Sequence, residues 1–98
     1  MSRNALGLVE TQGLIAAIEA TDAAAKAAGV VVSSVELTDA AFLTLKIEGE
    51  LGAVQAAVEA AVNAAQKLGE IVAVTIIPNP DDGLFTHSTQ EIYFKISS

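Results

Sequence analysis

Hydrophobic and polar positions follow two different periods, and these periods alternate along the chain. Short strand-like runs occupy residues 5–10, 30–37, 42–48 and 70–78. The third run has apolar residues at every second position, as a strand with one buried face requires. Its apolar set is Leu43, Leu45 and Ile47, and its polar set is Thr44, Lys46 and Glu48. Two longer, Ala-rich segments at residues 12–28 and 50–68 carry apolar residues at helical spacing.

The ends of both predicted helices carry recognisable signals. Thr11 is predicted to be the N-cap of the first helix, and Gly29 can adopt the left-handed conformation that ends a helix. Lys26 falls in the last turn, where a cation complements the carbonyl end of the helix. Gly69 is predicted to end the second helix. The predicted buried faces are Leu14, Ile18, Thr21, Ala25 and Ala28 in the first helix, and Leu51, Val54, Val58, Ala61, Ala65 and Leu68 in the second.

The two helical segments also resemble each other. Residues 16–29 align with residues 56–69, with Glu19 over Glu59 and Gly29 over Gly69. Two related strand–helix–strand halves predict an α+β fold with the ferredoxin-like order β-α-β-β-α-β. In that fold two helices cover one face of a four-stranded antiparallel sheet. The other face is left for another subunit or a shallow cavity.

The composition bears on partners and location. Twelve acidic and five basic residues give a net charge of −7, which argues against nucleic acid as a partner. Hydrophobic residues make up 52% of the 98-residue chain, and charged residues only 17%, against about 25% in an average domain. A domain this small has too much surface to bury so many apolar residues alone. We therefore expect this surplus of apolar residues to contact other copies of the chain. An Ala-rich monomer is the alternative. Without cysteine, a signal-peptide pattern or a membrane-spanning run, the chain is expected to be cytoplasmic.

Three segments resemble the hexamer-forming shell proteins of bacterial microcompartments, which tile the coats of carboxysomes and metabolosomes. The segments are ALGLVETQGLIAAIEATDAAAKAAGV at 5–30, GELGAVQAAVEA at 49–60 and GEIVAVTIIPNP at 69–80. The resemblance implies a shell domain over residues 1–80 and a variable C-terminal tail over residues 81–98. It also implies a homohexamer in the microcompartment shell that meets neighbouring hexamers and other shell proteins. Encapsulated enzymes are further candidate partners.

The same resemblance assigns two sets of site residues. The loop formed by Thr38, Asp39, Ala40 and Ala41 would turn inward at the sixfold axis and line a narrow pore for small metabolites. If Asp39 points into this channel, six carboxylates would favour cations and oppose anions. Alternatively, Asp39 bonds a backbone N–H and Ala40 forms an uncharged constriction. The resemblance also places Lys26 and Asn79 at the edge between hexamers, with Asn79 standing where many relatives have Arg.

Two other function classes compete with a shell protein. An enzyme is disfavoured because His87 is the single histidine, no carboxylates form an evident acid–base pair and no phosphate-binding fingerprint is present. We therefore expect no catalytic residue, metal or cofactor. The alternative is a ferredoxin-like oligomeric protein with a ligand-binding or regulatory function, although the Lys and Arg residues do not cluster.

The C-terminal tail allows several interpretations. Residues 91–96 could form a fifth strand or order only on docking. The aromatic residues of the tail could pack within the hexamer or bind a cargo or shell protein.

Overall fold

A computed structural model describes residues 5–37, residues 42–78 and the backbone of residues 92–94. The predicted order of elements is confirmed, with a short strand added in the tail. The elements are β1 (Ala5–Gln12), α1 (Leu14–Ala25), β2 (Val30–Leu37), β3 (Phe42–Gly49), α2 (Leu51–Ala65), β4 (Glu70–Ile77) and β5 (Ile92–Phe94). No helix within these ranges is long and apolar enough to cross a membrane.

The strands form one antiparallel sheet in the order β2-β3-β1-β4-β5. β1 lies in the centre and pairs with β3 along its whole length, from Ala5↔Gly49 to Gln12↔Phe42. β5 pairs with the middle of β4, at Val74, Thr75 and Ile76. The first four strands have the predicted ferredoxin-like arrangement, and the alternative of a fifth strand in the tail is confirmed for residues 92–94.

The core lies between the helices and one face of the sheet. Leu45 and Ile47 are fully buried there, as the alternation in β3 predicts, and so is Val9 of β1. The helices contribute mostly small side chains to this core: Ala16, Ala17, Ala20 and Ala24 from α1, and Val54, Ala57, Val58, Ala61, Val62 and Ala65 from α2. Short side chains let the helices approach the sheet closely. A Cβ atom added to Gly7 of β1 would lie only 2.8 Å from Val58 Cγ2.

The start of α1 differs from the prediction. Thr11 is not an N-cap, because β1 continues through Gln12 and buries the Thr11 side chain on the core face. The helix begins after Gly13, which has φ 105° and provides no side-chain cap. Thr11 is held in the strand by pairing with Leu43 on one side and Ile71 on the other. Pairing on both sides of a central strand outweighs the local preference of threonine for a cap.

The buried face of α1 also differs from the prediction. Leu14 and Ile18 are each 55% exposed, whereas the alanines of α1 face the core. The space beside the inner face of α1 is narrow, because a Cβ atom added to Gly69 would lie 2.6 Å from Ala16 Cβ. Only small residues of α1 fit so close to the turn before β4. The larger residues therefore occupy the outer side of the helix.

Both helices end earlier than predicted. α1 stops at Ala25, and Gly29 adopts φ 81° just before β2, which confirms its left-handed conformation. α2 stops at Ala65, where the Gly69 N–H donates to the Ala65 carbonyl at 3.0 Å in the following turn. Leu51 and Leu68, predicted as the ends of the buried stripe of α2, are 37% and 53% exposed.

Candidate assembly surface

The predicted pore segment lies outside the described residues, but the strands on either side of it are described. Thr38, Asp39, Ala40 and Ala41 fall between the end of β2 and the start of β3. These two strands pair up to Leu37↔Leu43, next to the segment. The strands that precede and follow the segment are therefore paired with each other where they meet it in the sequence. Asn79, the predicted edge residue after β4, also falls outside the described ranges.

A groove of about 420 Å³ opens between α1 and the β2–β3 edge of the sheet. Its lining is mostly apolar, with buried side chains at the base and exposed ones on the walls. Ile18 is 55% exposed and Val35 is 46% exposed. The Thr21 hydroxyl donates to the Ala17 carbonyl at 2.8 Å, so this polar group is satisfied within its own helix. The lining residues are Ala17, Ile18, Thr21, Asp22, Ala25, Val35 and Leu43.

A β-bulge in β2 explains why Val35 lies at this groove. The pairing register shifts between Val32, which lies opposite Ile47, and Ser34, which lies opposite Lys46. The Ser33 hydroxyl donates to the Lys46 carbonyl at 3.4 Å beside the bulge. Because one extra residue reverses the alternation of side chains, the last part of β2 turns its apolar residues to the helix side of the sheet. Val35 and Leu37 then lie opposite Leu45 and Leu43.

Five large apolar side chains of α1 and β2 are exposed in the single chain, and two of them, Ile18 and Val35, line the groove. We call this set the α1/β2 surface. It comprises Leu14, Ile15 and Ile18 of α1, and Val35 and Leu37 of β2, with exposed fractions from 46% to 64%. Helix positions three and four residues apart are neighbours, so the three α1 residues form one continuous patch. An apolar patch beside an apolar groove is typical of a surface that another molecule covers.

Lys26 lies at the C-cap position of α1, one residue beyond the end of the helix. Its ammonium Nζ lies 3.1 Å from Asp22 Oδ2, and the two side chains are 75% and 56% exposed. Asp22 also lines the groove, whereas Lys26 does not. The predicted edge lysine is thus linked by an ion pair to the rim of the α1/β2 surface.

The sheet face opposite the helices carries both polar and apolar side chains, since Leu8 lies beside Lys46 and Val31 lies beside Glu48. Thr44 Oγ1 donates to Glu10 Oε2 across β3 and β1 at 3.4 Å. Lys46 and Glu48 lie on the same face and are half-buried. Among the residues that the structure describes, no group of three His, Cys, Asp or Glu side chains could hold a metal ion.

Comparison with known proteins identifies close relatives. The family model described as BMC domain matches residues 5–80. The chain is 46% identical over 80 residues to the bacterial microcompartment shell protein PduA of Salmonella typhimurium, covering 82% of this chain and 85% of PduA. It is 42% identical over 93 residues to the shell protein EutM of the same organism, covering 95% and 91% of the two chains. It is also 47% identical over 77 residues to the carboxysome shell protein CsoS1A of Hydrogenovibrio crunogenus, covering 78% and 80%.

A solved structure supports the same relationship at the level of the fold. A microcompartments protein from Desulfitobacterium hafniense DCB superposes with a TM-score of 0.75 at 30% sequence identity. The superposition covers 83% of this chain and 44% of that chain. The matched region corresponds to less than half of that longer protein.

Proposed function

This chain belongs to the BMC domain family of bacterial microcompartment shell proteins, and from that premise we propose that it forms cyclic homohexamers that tile the facet layer and leave a central pore for small metabolites. Members of this family are structural proteins, so the chain is not an enzyme, as the sequence predicts. Family membership favours the shell protein over the ligand-binding or regulatory alternative. The shell domain over residues 1–80 and the variable tail over residues 81–98 remain predictions.

The observation that carries the hexamer is the exposed α1/β2 surface. A closed ring repeats one heterologous contact, in which one surface of a protomer meets a different surface of the next. The α1/β2 surface provides the first of these, since Ile18 and Val35 form the walls of an open apolar groove. Burying them against a neighbour would remove the hydrophobic surplus that the composition leaves. We propose that the next protomer in the ring fills this groove.

The pore is proposed from the position of residues 38–41. β2 supplies part of the α1/β2 surface and ends at Leu37, directly before this segment. A contact that draws β2 into the ring would carry the segment with it towards the axis. Six copies of Asp39 would then surround the opening. Such an acidic ring admits small neutral or cationic metabolites and opposes anions.

The edge between hexamers is proposed to use Lys26 and Asn79. Lys26 supports this role because its side chain is 75% exposed and lies outside the groove. It therefore stays accessible when a ring neighbour fills the groove. Asn79 would contribute an amide rather than a charge to the same edge. In the tail, β5 already joins the sheet beside β4, which favours packing of this segment within the hexamer over a free role in binding cargo.

Electron microscopy of the purified full-length chain tests tiling. Flat sheets or tubes built from sixfold rings are expected, with a stain-filled opening at the centre of each ring. The variant Lys26→Met keeps most of the side-chain length but removes the ammonium group, so it should give rings that tile poorly. Sheets of Lys26→Met as extensive as those of the unmodified chain would remove Lys26 from the edge. Particles without sixfold symmetry would contradict the hexamer itself.

A further inference from the structure

The ion pair at the end of α1 points to a role for a residue that the sequence did not single out. We propose that Asp22 is a positioning residue for Lys26: its carboxylate holds the lysine ammonium at the outer end of α1, where a neighbouring hexamer can meet it. This inference rests on the proposed function, which assigns Lys26 to the edge between hexamers. It adds the group that governs how this lysine is presented.

The geometry of the pair suits this role. Asp22 precedes Lys26 by one helical turn, and the distance between Oδ2 and Nζ is 3.1 Å. An acid four residues before a base is the favoured orientation for such a pair on a helix. The ammonium group has three N–H donors, so the bond to Asp22 leaves two for acceptors on another molecule. The carboxylate therefore orients Lys26 without using up its capacity to bind.

The ion pair between Asp22 and Lys26 forms before two hexamers meet, so it lowers the conformational entropy that Lys26 loses at the edge between them. A lysine side chain is among the most flexible, and it loses much of its rotamer freedom when a contact fixes it. Asp22 restricts that freedom in advance. Glu19, the other acidic residue of α1, lies two helical turns before Lys26, whereas Asp22 lies one turn before it.

Asp22 also connects the edge to the contact within the ring. Asp22 lines the groove between α1 and the β2–β3 edge, together with Ile18 and Val35. A protomer that fills the groove displaces water from one side of Asp22. Lower local polarity strengthens the attraction between Asp22 and Lys26. Ring closure would therefore fix the lysine before tiles meet, which favours assembly in the order hexamer first and sheet second.

The test compares single and double variants of the full-length chain. Asp22→Asn keeps the shape of the side chain and removes its charge, and Glu19→Gln is the matched control on the same helix. Light scattering reports whether hexamers form, and pelleting followed by electron microscopy gives the lowest protein concentration at which sheets appear. The same two measurements are made on Lys26→Met and on the double variant Asp22→Asn/Lys26→Met.

We expect Asp22→Asn to form hexamers and to need a higher concentration for sheets. A helix pair of this kind is worth about a twofold change in affinity for each lysine, and these factors multiply over the lysines that a tile engages. Glu19→Gln should leave the lowest concentration for sheet formation, the threshold, unchanged. Asp22→Glu keeps a carboxylate, so it should raise this threshold less than Asp22→Asn does. In the Lys26→Met background, Asp22→Asn should have no further effect.

The outcomes separate the two proposals. If Lys26→Met tiles like the unmodified chain, the proposed edge role of Lys26 fails. If Lys26→Met tiles poorly while Asp22→Asn leaves the threshold unchanged, only the positioning role fails. The positioning role is also overturned if Asp22→Asn lowers the threshold, acts equally in the Lys26→Met background or prevents hexamers from forming.

Discussion

Replacing Ile18 with glutamate should open the proposed ring. Fully burying an isoleucine side chain contributes about 1.5–3 kcal/mol. Ile18 is 55% exposed in the single chain. Covering that part would therefore contribute about 1 kcal/mol to each contact. Glutamate loses this contribution and places a carboxylate in an apolar groove, beside Asp22.

The charge is the larger effect. Removing an ion from water without a partner costs several kcal/mol in proteins. A loss of about 3 kcal/mol at each contact weakens that contact by more than about a hundredfold. The ring repeats the contact six times, so the loss multiplies. Because Ile18 lies outside the core, the protomer itself should keep its fold.

Light scattering and circular dichroism measure these two effects separately. The unmodified chain should scatter as a ring of about 60 kDa, six chains of 10.0 kDa, and Ile18→Glu as smaller species with the same helical signal. Gln55→Glu is the matched control, because it adds the same charge to an exposed position of α2 without removing an apolar side chain. An Ile18→Glu variant that forms rings as readily as Gln55→Glu would refute the proposed role of the groove.

Four further substitutions concern the pore and the stability of the protomer. Asp39→Lys should favour anions over cations in uptake by assembled compartments, and unchanged selectivity would remove Asp39 from the channel. Gly49→Ala should lower the free energy of unfolding by about 1–3 kcal/mol, because its Cβ would lie 2.5 Å from a backbone oxygen. Gly52→Ala has open space around it in α2 and should raise that energy by about 0.5–1 kcal/mol. Urea unfolding measures both, and equal effects would contradict the packing described. Thr11→Val should raise the free energy of unfolding by about 1 kcal/mol, since the buried Thr11 hydroxyl has no hydrogen-bond partner among the residues that the structure describes. A clear loss of stability in the same assay would show that the hydroxyl is satisfied.

The order of elements could be predicted because burial in a sheet imposes a period of two on the sequence. β3 shows this directly, since Leu43, Leu45 and Ile47 are buried as their alternation indicates. The orientation of α1 could not be predicted in the same way. Hydrophobic periodicity favours Ile18 over alanine as a core residue, but the space available beside Gly69 admits only alanine. That constraint comes from a segment distant in sequence.

The assembly surface was only partly visible in the sequence. Family resemblance named Lys26 and the segment at 38–41, whereas the groove beside α1 was missed. Two local signals could have indicated it. The apolar positions of β2 break their alternation at Ser33 and Ser34, where the bulge occurs. The large residues of α1 also lie opposite its alanines, so one of the two faces had to be left exposed.

Sedimentation of the unmodified chain over a range of concentrations tests the central proposal most directly. Six protomers should sediment together as a discrete particle of about 60 kDa, six times the 10.0 kDa chain, with no species of intermediate size accumulating on dilution. A folded chain that sediments at 10.0 kDa at every concentration would contradict the ring. It would also remove the reason for the exposed α1/β2 surface.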